Sequence, residues 1–241
     1  MKHKEIFSAI RAPPPVIMRL DGRNFKESLS RLGFLKPYDL TFEQGMVCAT
    51  RMLLERSGMS PDWAFTFSDE VSLYFNVLPF DGRVEKLDSV VPSFMASALT
   101  IALKIDTPLA FDARVIPLHP EEIPAYLTGR QAETWRNHMQ SHGFYRLVSE
   151  GMGEKEAASK MKGMKFEEIH ELMWQRGVNL NETPGWQRKG VFIYRKKTER
   201  EGYNPLKGET VTVERREITE DWDPPVFSTE AGKMYLQHLS V

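Results

Sequence analysis

Ser68, Asp69 and Glu70 interrupt a stretch, TFSDEVSLYF (66–75), that otherwise alternates like a β-strand. Neighbouring carboxylates repel one another, and a half-buried strand prefers β-branched and aromatic residues. Two readings fit. One is a tight hairpin turn, for which Ser-Asp-Glu is well suited. The other is a divalent-metal site at the hairpin tip, because hard cations take carboxylate oxygens and a pair of ions can clamp a phosphoryl group in transfer. A further acid, Asp21, closes the run PPPVIMRLDG. Gly22 follows it and lets a backbone carbonyl approach a metal or a phosphate, although Asp21-Gly22 is equally an ordinary turn. Brought together, Asp21, Asp69 and Glu70 would repel one another unless cations joined them, and two magnesium ions would relieve the cluster. Phosphate partners are at hand in Arg19, Arg23, Asn24, Lys36 and Ser68. The backbone N–H groups after Gly22 can cradle a triphosphate. No P-loop signature is present.

The order of elements decides whether these residues meet. A short strand ends at Asp21-Gly22. A helix runs from about Thr41 to Arg56, with an apolar stripe at Met46, Ala49, Leu53 and Leu54. WAFTFSDEVSLYFNV then holds two strands that meet at the acids. EKLDSVVPSFMASALTIALKI is a long apolar helix with Pro92 near its first turns, and LAFDARVIPL is a fourth strand. Strand, helix, strand, strand, helix, strand is the split βαβ pattern, an α+β fold with an antiparallel sheet backed by helices, over roughly residues 15 to 118. It places the first strand beside the hairpin, so Asp21 falls next to Asp69. Beyond His119 three helices separated by glycines follow, then two strand-like runs (GVFIYRKK and ETVTVERREI) and an irregular acidic tail. The expected division is a catalytic core over residues 1–120, with a helical region and C-terminal β-rich segment over 121–241 packed on it.

Other candidates are more ambiguous. Asp112 and Arg114 in FDARV suit an ion pair at a strand end. His138, His142 and Arg146 share one helical face, without the glutamate that a zinc-binding HExxH needs. With Arg130 and Arg136 that face suits RNA, Trp135 or Phe144 stacking a base, or the buried side of an amphipathic helix. Met161, Met164, Met173 and Trp174 read as core.

With 241 residues, 41% of them hydrophobic, the chain can bury the core of one or two domains. A net charge of −1 gives no global nucleic-acid footprint, but Arg188 to Arg200 carries six bases and one acid, and Glu209 to Glu230 seven acids and two bases. No run of eighteen apolar residues appears and the N-terminus lacks the apolar core of a secretory signal, so no membrane contact is expected. The single cysteine, Cys48, excludes an internal disulfide framework and reads as a buried, inert thiol. A soluble cytoplasmic protein is the expectation.

RLDGRNF (19–25), GFLKPYD (33–39), SDEVSLYF (68–75), FDARV (111–115), GRQAETW (129–135) and WQRKGVFIY (186–194) resemble, in order, the motifs of the tRNA-histidine guanylyltransferase family and its guanylyltransferase-like relatives that repair tRNA 5′ ends. The resemblance covers roughly residues 10 to 200. It implies a polymerase-palm or ferredoxin-like sheet, and addition of nucleotides to a tRNA 5′ end in the 3′-to-5′ direction. It implies that Asp21, the Gly22 carbonyl and Asp69 hold two magnesium ions with Glu70 assisting. Arg23, Asn24, Phe25 and Ser68 would bind the triphosphate of GTP or ATP, with Lys36 and Asp39 near the nucleotides. Arg130, Arg136, Asn137, Arg188 and Lys189 would meet tRNA, and the protein would be a homodimer or homotetramer. Where the eukaryotic enzymes continue His-Ile-Asn-Asn-Leu-Tyr-Asn, residues 135–141 read WRNHMQS, and Glu133 replaces an aspartate. Both departures favour the like-protein branch, in which the opposing base selects the incoming nucleotide, over addition of a single guanosine. A cyclase-like enzyme and a non-catalytic tRNA-binding module are the more distant alternatives.

Overall fold

The computed structural model describes residues 4–204 and 208–238. The run VIMRLDG forms β1 (Val16–Gly22), which pairs antiparallel on both sides, with β3 (Glu70–Phe75) and with β4 (Phe111–Pro117). With β2 (Trp63–Phe67), β5 (Val191–Asn204) and β6 (Glu209–Asp221), the sheet order is β4-β1-β3-β2-β5-β6. Its first four strands have the order expected of a split βαβ sheet. The C-terminal strands extend the same sheet, because Val191–Tyr194 of β5 pairs with Trp63–Thr66 of β2.

Side chains alternate across β1, and both faces are covered. Val16, Met18 and Leu20 point at α2 (Leu40–Arg56) and α3 (Val84–Leu103), in a core with Met46, Leu53, Leu73 and Met95. Ile17 points the other way, into a core of Trp63, Phe65 and Phe192 sealed by Ile123 and Leu127 of α4 (Ile123–Ser149). Burial on both faces explains why β1 to β3 read as almost continuous apolar runs. The short α1 (Phe25–Arg31) follows β1. At 27 residues α4 is about 40 Å long. Its far half shares a third core with α5 (Glu154–Met161) and α6 (Phe166–Trp174), built on Met139, Leu147, Met161, Ile169 and Met173. A short helix, α7 (Gly185–Lys189), leads into β5.

Several expectations need correction. Cys48 is exposed, because it belongs to the outward stripe Gln44, Cys48, Arg51, Glu55 of α2. Trp174 is 59% exposed, while Met161 and Met173 are buried as expected. Pro92 lies well inside α3 rather than in its first turns, so α3 tolerates a missing N–H at that point. The acidic tail is not irregular: β6 runs to Asp221, and α8 (Glu230–His238) follows. Phe227 and Leu236 anchor it in the core beneath α4. By length and composition α3 could cross a membrane, but its stripe of Leu87, Val91, Met95 and Leu99 is buried in the first core.

Candidate active site

The Ser-Asp-Glu segment is a turn and is also aimed at Asp21. Phe67 pairs with Glu70, so β2 and β3 join through Ser68 and Asp69 alone, with Ser68 in the left-handed region at φ 53°. The Gly22 N–H donates to the Asp69 carbonyl at 3.0 Å. A Cβ on Gly22 would lie 2.7 Å from the Phe25 ring and 2.9 Å from the Asp69 Cβ, so only glycine lets β1 come this close to the turn. Burial, and then the charge of Asp21, raises the pKa of Asp69. A divalent cation would relieve that repulsion, and the carboxylates of Asp21 and Asp69 with the Gly22 carbonyl are the hard oxygen donors it prefers. Among the described residues no three acidic, histidine or cysteine side chains form a ready-made cation cage.

Asp21 stands in register with Glu70 on one side and Asp112 on the other, a row of three acids across three strands. Arginines divide them. Arg130 of α4 grips Glu70 through two bonds, Nε–Oε1 at 2.7 Å and Nη2–Oε2 at 2.5 Å, and lies over the Phe67 ring at 5.5 Å. Burial raises the Glu70 pKa, and Arg130 opposes the rise. Glu70, expected beside the metals, and Arg130, expected on tRNA, thus spend their charges on each other. Arg114 spans Asp21 at 3.9 Å and Asp112 at 3.7 Å, the strand-end ion pair expected for FDARV. Arg19 shares this face, with its Nε enclosed and unpartnered.

The proposed triphosphate contacts divide into two groups. Arg23 and Ser68 are exposed beside the acids, and the Ser68 hydroxyl donates to Asp69 at 3.2 Å. Asn24 is left-handed and donates to Glu27 at 2.9 Å. Lys36 feels Asp69; burial lowers its pKa and that carboxylate opposes the change. The Phe25 side chain instead is buried edge-on between Phe42 and Phe111, where it anchors the core. Asp39 is the cap of α2. It accepts N–H bonds from Leu35 and Thr41 at 2.8 Å and Phe42 at 3.2 Å. Burial pushes its carboxyl up, but these backbone bonds prevail and hold it below the usual range.

Of the residues expected to meet tRNA, Arg136 and Asn137 are exposed, Arg136 paired with Glu133 at 2.5 Å. Arg188 donates to the Thr183 carbonyl at 2.7 Å, and Lys189 pairs with Asp223 at 2.6 Å. The histidine stripe takes the buried alternative. His138 is fully enclosed, bonded to Thr183 and packed with Tyr38 and His142; Trp135 stacks on it at 5.4 Å. Burial, and then His142, brings the His138 pKa down to about 3. Arg146 pairs with Glu150, and Phe144 packs in the third core under Lys26. Sequence reasoning passed over Tyr126, whose hydroxyl meets Ser72 at 2.8 Å, and Glu43, buried beside Asp69. Glu43 sits three and four residues before the buried Met46 and Val47, and an acid on an apolar stripe was the available signal.

Residues 1–119 match the family described as Thg1, tRNAHis guanylyltransferase, and residues 121–226 match the Thg1 C-terminal domain. The chain belongs to the tRNAHis guanylyltransferase family. A probable tRNA(His) guanylyltransferase of Drosophila melanogaster is 29% identical over 199 residues, 76% of this chain and 67% of that protein. The crystal structure of the Saccharomyces cerevisiae tRNA(His) guanylyltransferase superposes with a TM-score of 0.69 at 25% identity, over 79% of this chain and 90% of the other. A bacterial Thg1-like protein, solved with ATP, shares the fold with a TM-score of 0.75 at 20% identity, covering 99% of this chain and 96% of its own. The fold is therefore the palm-like α+β fold of this family, and the chain is a nucleotidyltransferase of the tRNAHis guanylyltransferase type.

Proposed function

We propose that this protein is a magnesium-dependent, template-directed 3′–5′ nucleotidyltransferase that adds nucleotides to the 5′ ends of tRNA. The observation that carries the reading is the approach of Asp21, Gly22 and Asp69 on the palm sheet, with like charges left to be neutralised. Asp21, Asp69 and the Gly22 carbonyl would hold two magnesium ions. Bound there, the ions supply acidity to the 3′-hydroxyl of the incoming nucleotide and offset charge on the phosphates. Arg23, Ser68, Lys36 and the backbone at Asn24 orient the triphosphate, and Arg19 and Arg114 add positive charge along the same face. The hydroxyl oxygen bonds to the 5′ α-phosphorus of the tRNA and loses its proton to solvent. Pyrophosphate leaves from a triphosphorylated end, or AMP from an end first adenylylated with ATP. GTP and ATP are the expected nucleotides; one bacterial Thg1-like protein of this fold is described in complex with each. WRNHMQS at 135–141 supports templated repair over fixed guanosine addition. Cytoplasmic location and a dimeric or tetrameric assembly belong to the same reading.

A second reading, addition of one guanosine to histidine tRNA, is favoured by the names of the relatives in fly and yeast. The two separate in one experiment: the protein, magnesium, all four NTPs and a tRNA lacking its first 5′ nucleotide, with the opposing base varied. Added nucleotides that follow the opposing base establish templated synthesis. Guanosine whatever the opposing base establishes the second reading, and no extension of mono- or triphosphorylated ends refutes both.

A further inference from the structure

A cavity of about 430 Å³ opens between α4, α7 and the segment leading to α8, and none of the acids of the candidate active site lines it. Its size is within the range of sites that take a small organic molecule. Ala132 and Trp135 of α4 and Val226 of the C-terminal segment give it apolar walls, with Val226 left 45% exposed. The Trp135 indole is held in place by its stacking on His138. The walls are tied together from behind by Gln131, 5% exposed. Its amide donates to the carbonyls of Lys189 at 3.3 Å and Pro225 at 3.1 Å, and its carbonyl accepts the Phe227 N–H at 2.7 Å. Three stretches far apart in the chain are thereby fixed before any ligand arrives, which lowers the cost of binding one. The polar rim is only partly committed. Lys189 is held by Asp223, and the Arg188 Nε by the Thr183 carbonyl. The two amino groups of Arg188 and the side-chain amide of Asn181 make no hydrogen bond among the described residues.

We propose that this cavity receives an unpaired nucleobase from the 3′ tail of the tRNA whose 5′ end lies at the acids. The assignment rests on the tRNA-end reading above and holds for either mode of nucleotide addition. A nucleotide is a flat ring joined to an anionic phosphate. Apolar walls with an indole suit the ring, and a guanidinium with two free amino groups suits the phosphate. The Asn181 amide both donates and accepts, so it can meet the polar edge of any base. Stacking is equally tolerant of base identity. Position supports this occupant. Lys189 in the wall is followed by Gly190, where a Cβ would lie 2.8 Å from the Thr66 carbonyl oxygen, and Thr66 is three residues before Asp69. At about 3.5 Å per residue, Lys189 stands within about 20 Å of Asp69. The 3′ tail leaves the acceptor stem beside the reacting 5′ end, so a short single strand bridges that gap. Anchoring the tail holds the opposing strand still while the 5′ end is extended.

The test is equilibrium binding of the full chain, by fluorescence anisotropy, to a tRNA lacking its first 5′ nucleotide, with the unpaired 3′ tail intact or removed. The native protein should bind the tailed RNA about tenfold more tightly. Ala132→Phe puts a ring into the cavity from an exposed helix position and removes no native contact, so it should keep the native Tm. It should bind both RNAs alike, at the native affinity for the tailless one. Trp135→Leu should do the same, and Trp135→Phe, which keeps a ring, should retain most of the preference. 2-Aminopurine placed at each tail position in turn should be quenched at one of them on binding the native protein, and at none on binding Ala132→Phe. A purely structural role for these residues would shift both RNAs equally. A native affinity indifferent to the tail, a preference that survives Ala132→Phe, or no quenching at any position overturns the assignment and leaves the tRNA-end reading standing. Failure of the native protein to bind either RNA overturns both.

Discussion

Replacing Arg130 with methionine strands a carboxylate inside the protein. The Glu70 side chain is 9% exposed, and Arg130 supplies its only hydrogen-bond donors among the described residues. Removing one partner of such a pair costs about 3–5 kcal/mol, because the remaining charge has lost its water and its counter-ion together. For a domain of this size that is about a 10 °C fall in Tm. The loss depends on pH with a definite sign. Burial already raises the Glu70 pKa against the pull of Arg130. Without the arginine the folded state holds the Glu70 proton more tightly still than the unfolded chain does. Stability therefore falls as pH rises from the ordinary glutamate value through the folded one, and the variant is least impaired in acid. Urea denaturation at pH 5 and pH 8 should show the larger deficit at pH 8. The double variant Glu70→Met/Arg130→Met should recover to within about 2 kcal/mol of the native protein, since an apolar pair of similar volume replaces a desolvated ion pair at little cost. Arg130→Lys should not rescue, having one ammonium in place of a planar fork. A single-variant deficit below about 1 kcal/mol, or one equal at both pH values, would refute the reasoning. So would a double variant as unstable as the single.

Asp69→Asn should abolish nucleotide addition yet raise the Tm of the metal-free protein by about 3 °C, because it removes a buried charge facing Asp21; a fall in Tm would contradict the repulsion. Gly22→Ala drives a methyl to 2.7 Å from the Phe25 ring and should cost about 1–3 kcal/mol in chemical denaturation. His138 is held neutral, its pKa at about 3, so the stability of its neutral form is intact above the ordinary histidine value and is lost as pH falls from there toward 3. At about 1.4 kcal/mol per unit this amounts to about 5 kcal/mol, and His138→Gln should flatten the stability profile below pH 6.5.

What could be read from the sequence was set by local chemistry. Alternation in TFSDEVSLYF and the two-residue break at Ser68-Asp69 define a hairpin by themselves, and the order of strands and helices places Asp21 beside it. Partners distant along the chain were not readable. Arg130 lies 60 residues from Glu70, and a polar residue on a helix looks the same whether it meets solvent, RNA or a buried acid. Phe25 and Asp39 belong to motifs of the family, yet one is packed among aromatic rings and the other caps a helix. His138 and His142 look like a charged stripe until Tyr38, itself packed on Trp186, closes over them. Trp174 failed for the converse reason, since size and apolarity do not specify which side of a short helix meets solvent.

The grip of Arg130 on Glu70 bears on modularity. The hairpin carrying Asp69 and the helix carrying Arg130 come from opposite halves of the chain, yet each completes the other electrostatically. A fragment ending before α4 would keep every residue of the acidic pair but leave Glu70 uncompensated and Ile17, Trp63, Phe65 and Tyr74 bare on one face of the sheet. Such a half is not a transplantable catalytic unit. Recombination among relatives, or design of chimaeras, has to carry α4 along with the hairpin or rewrite the residue at position 70.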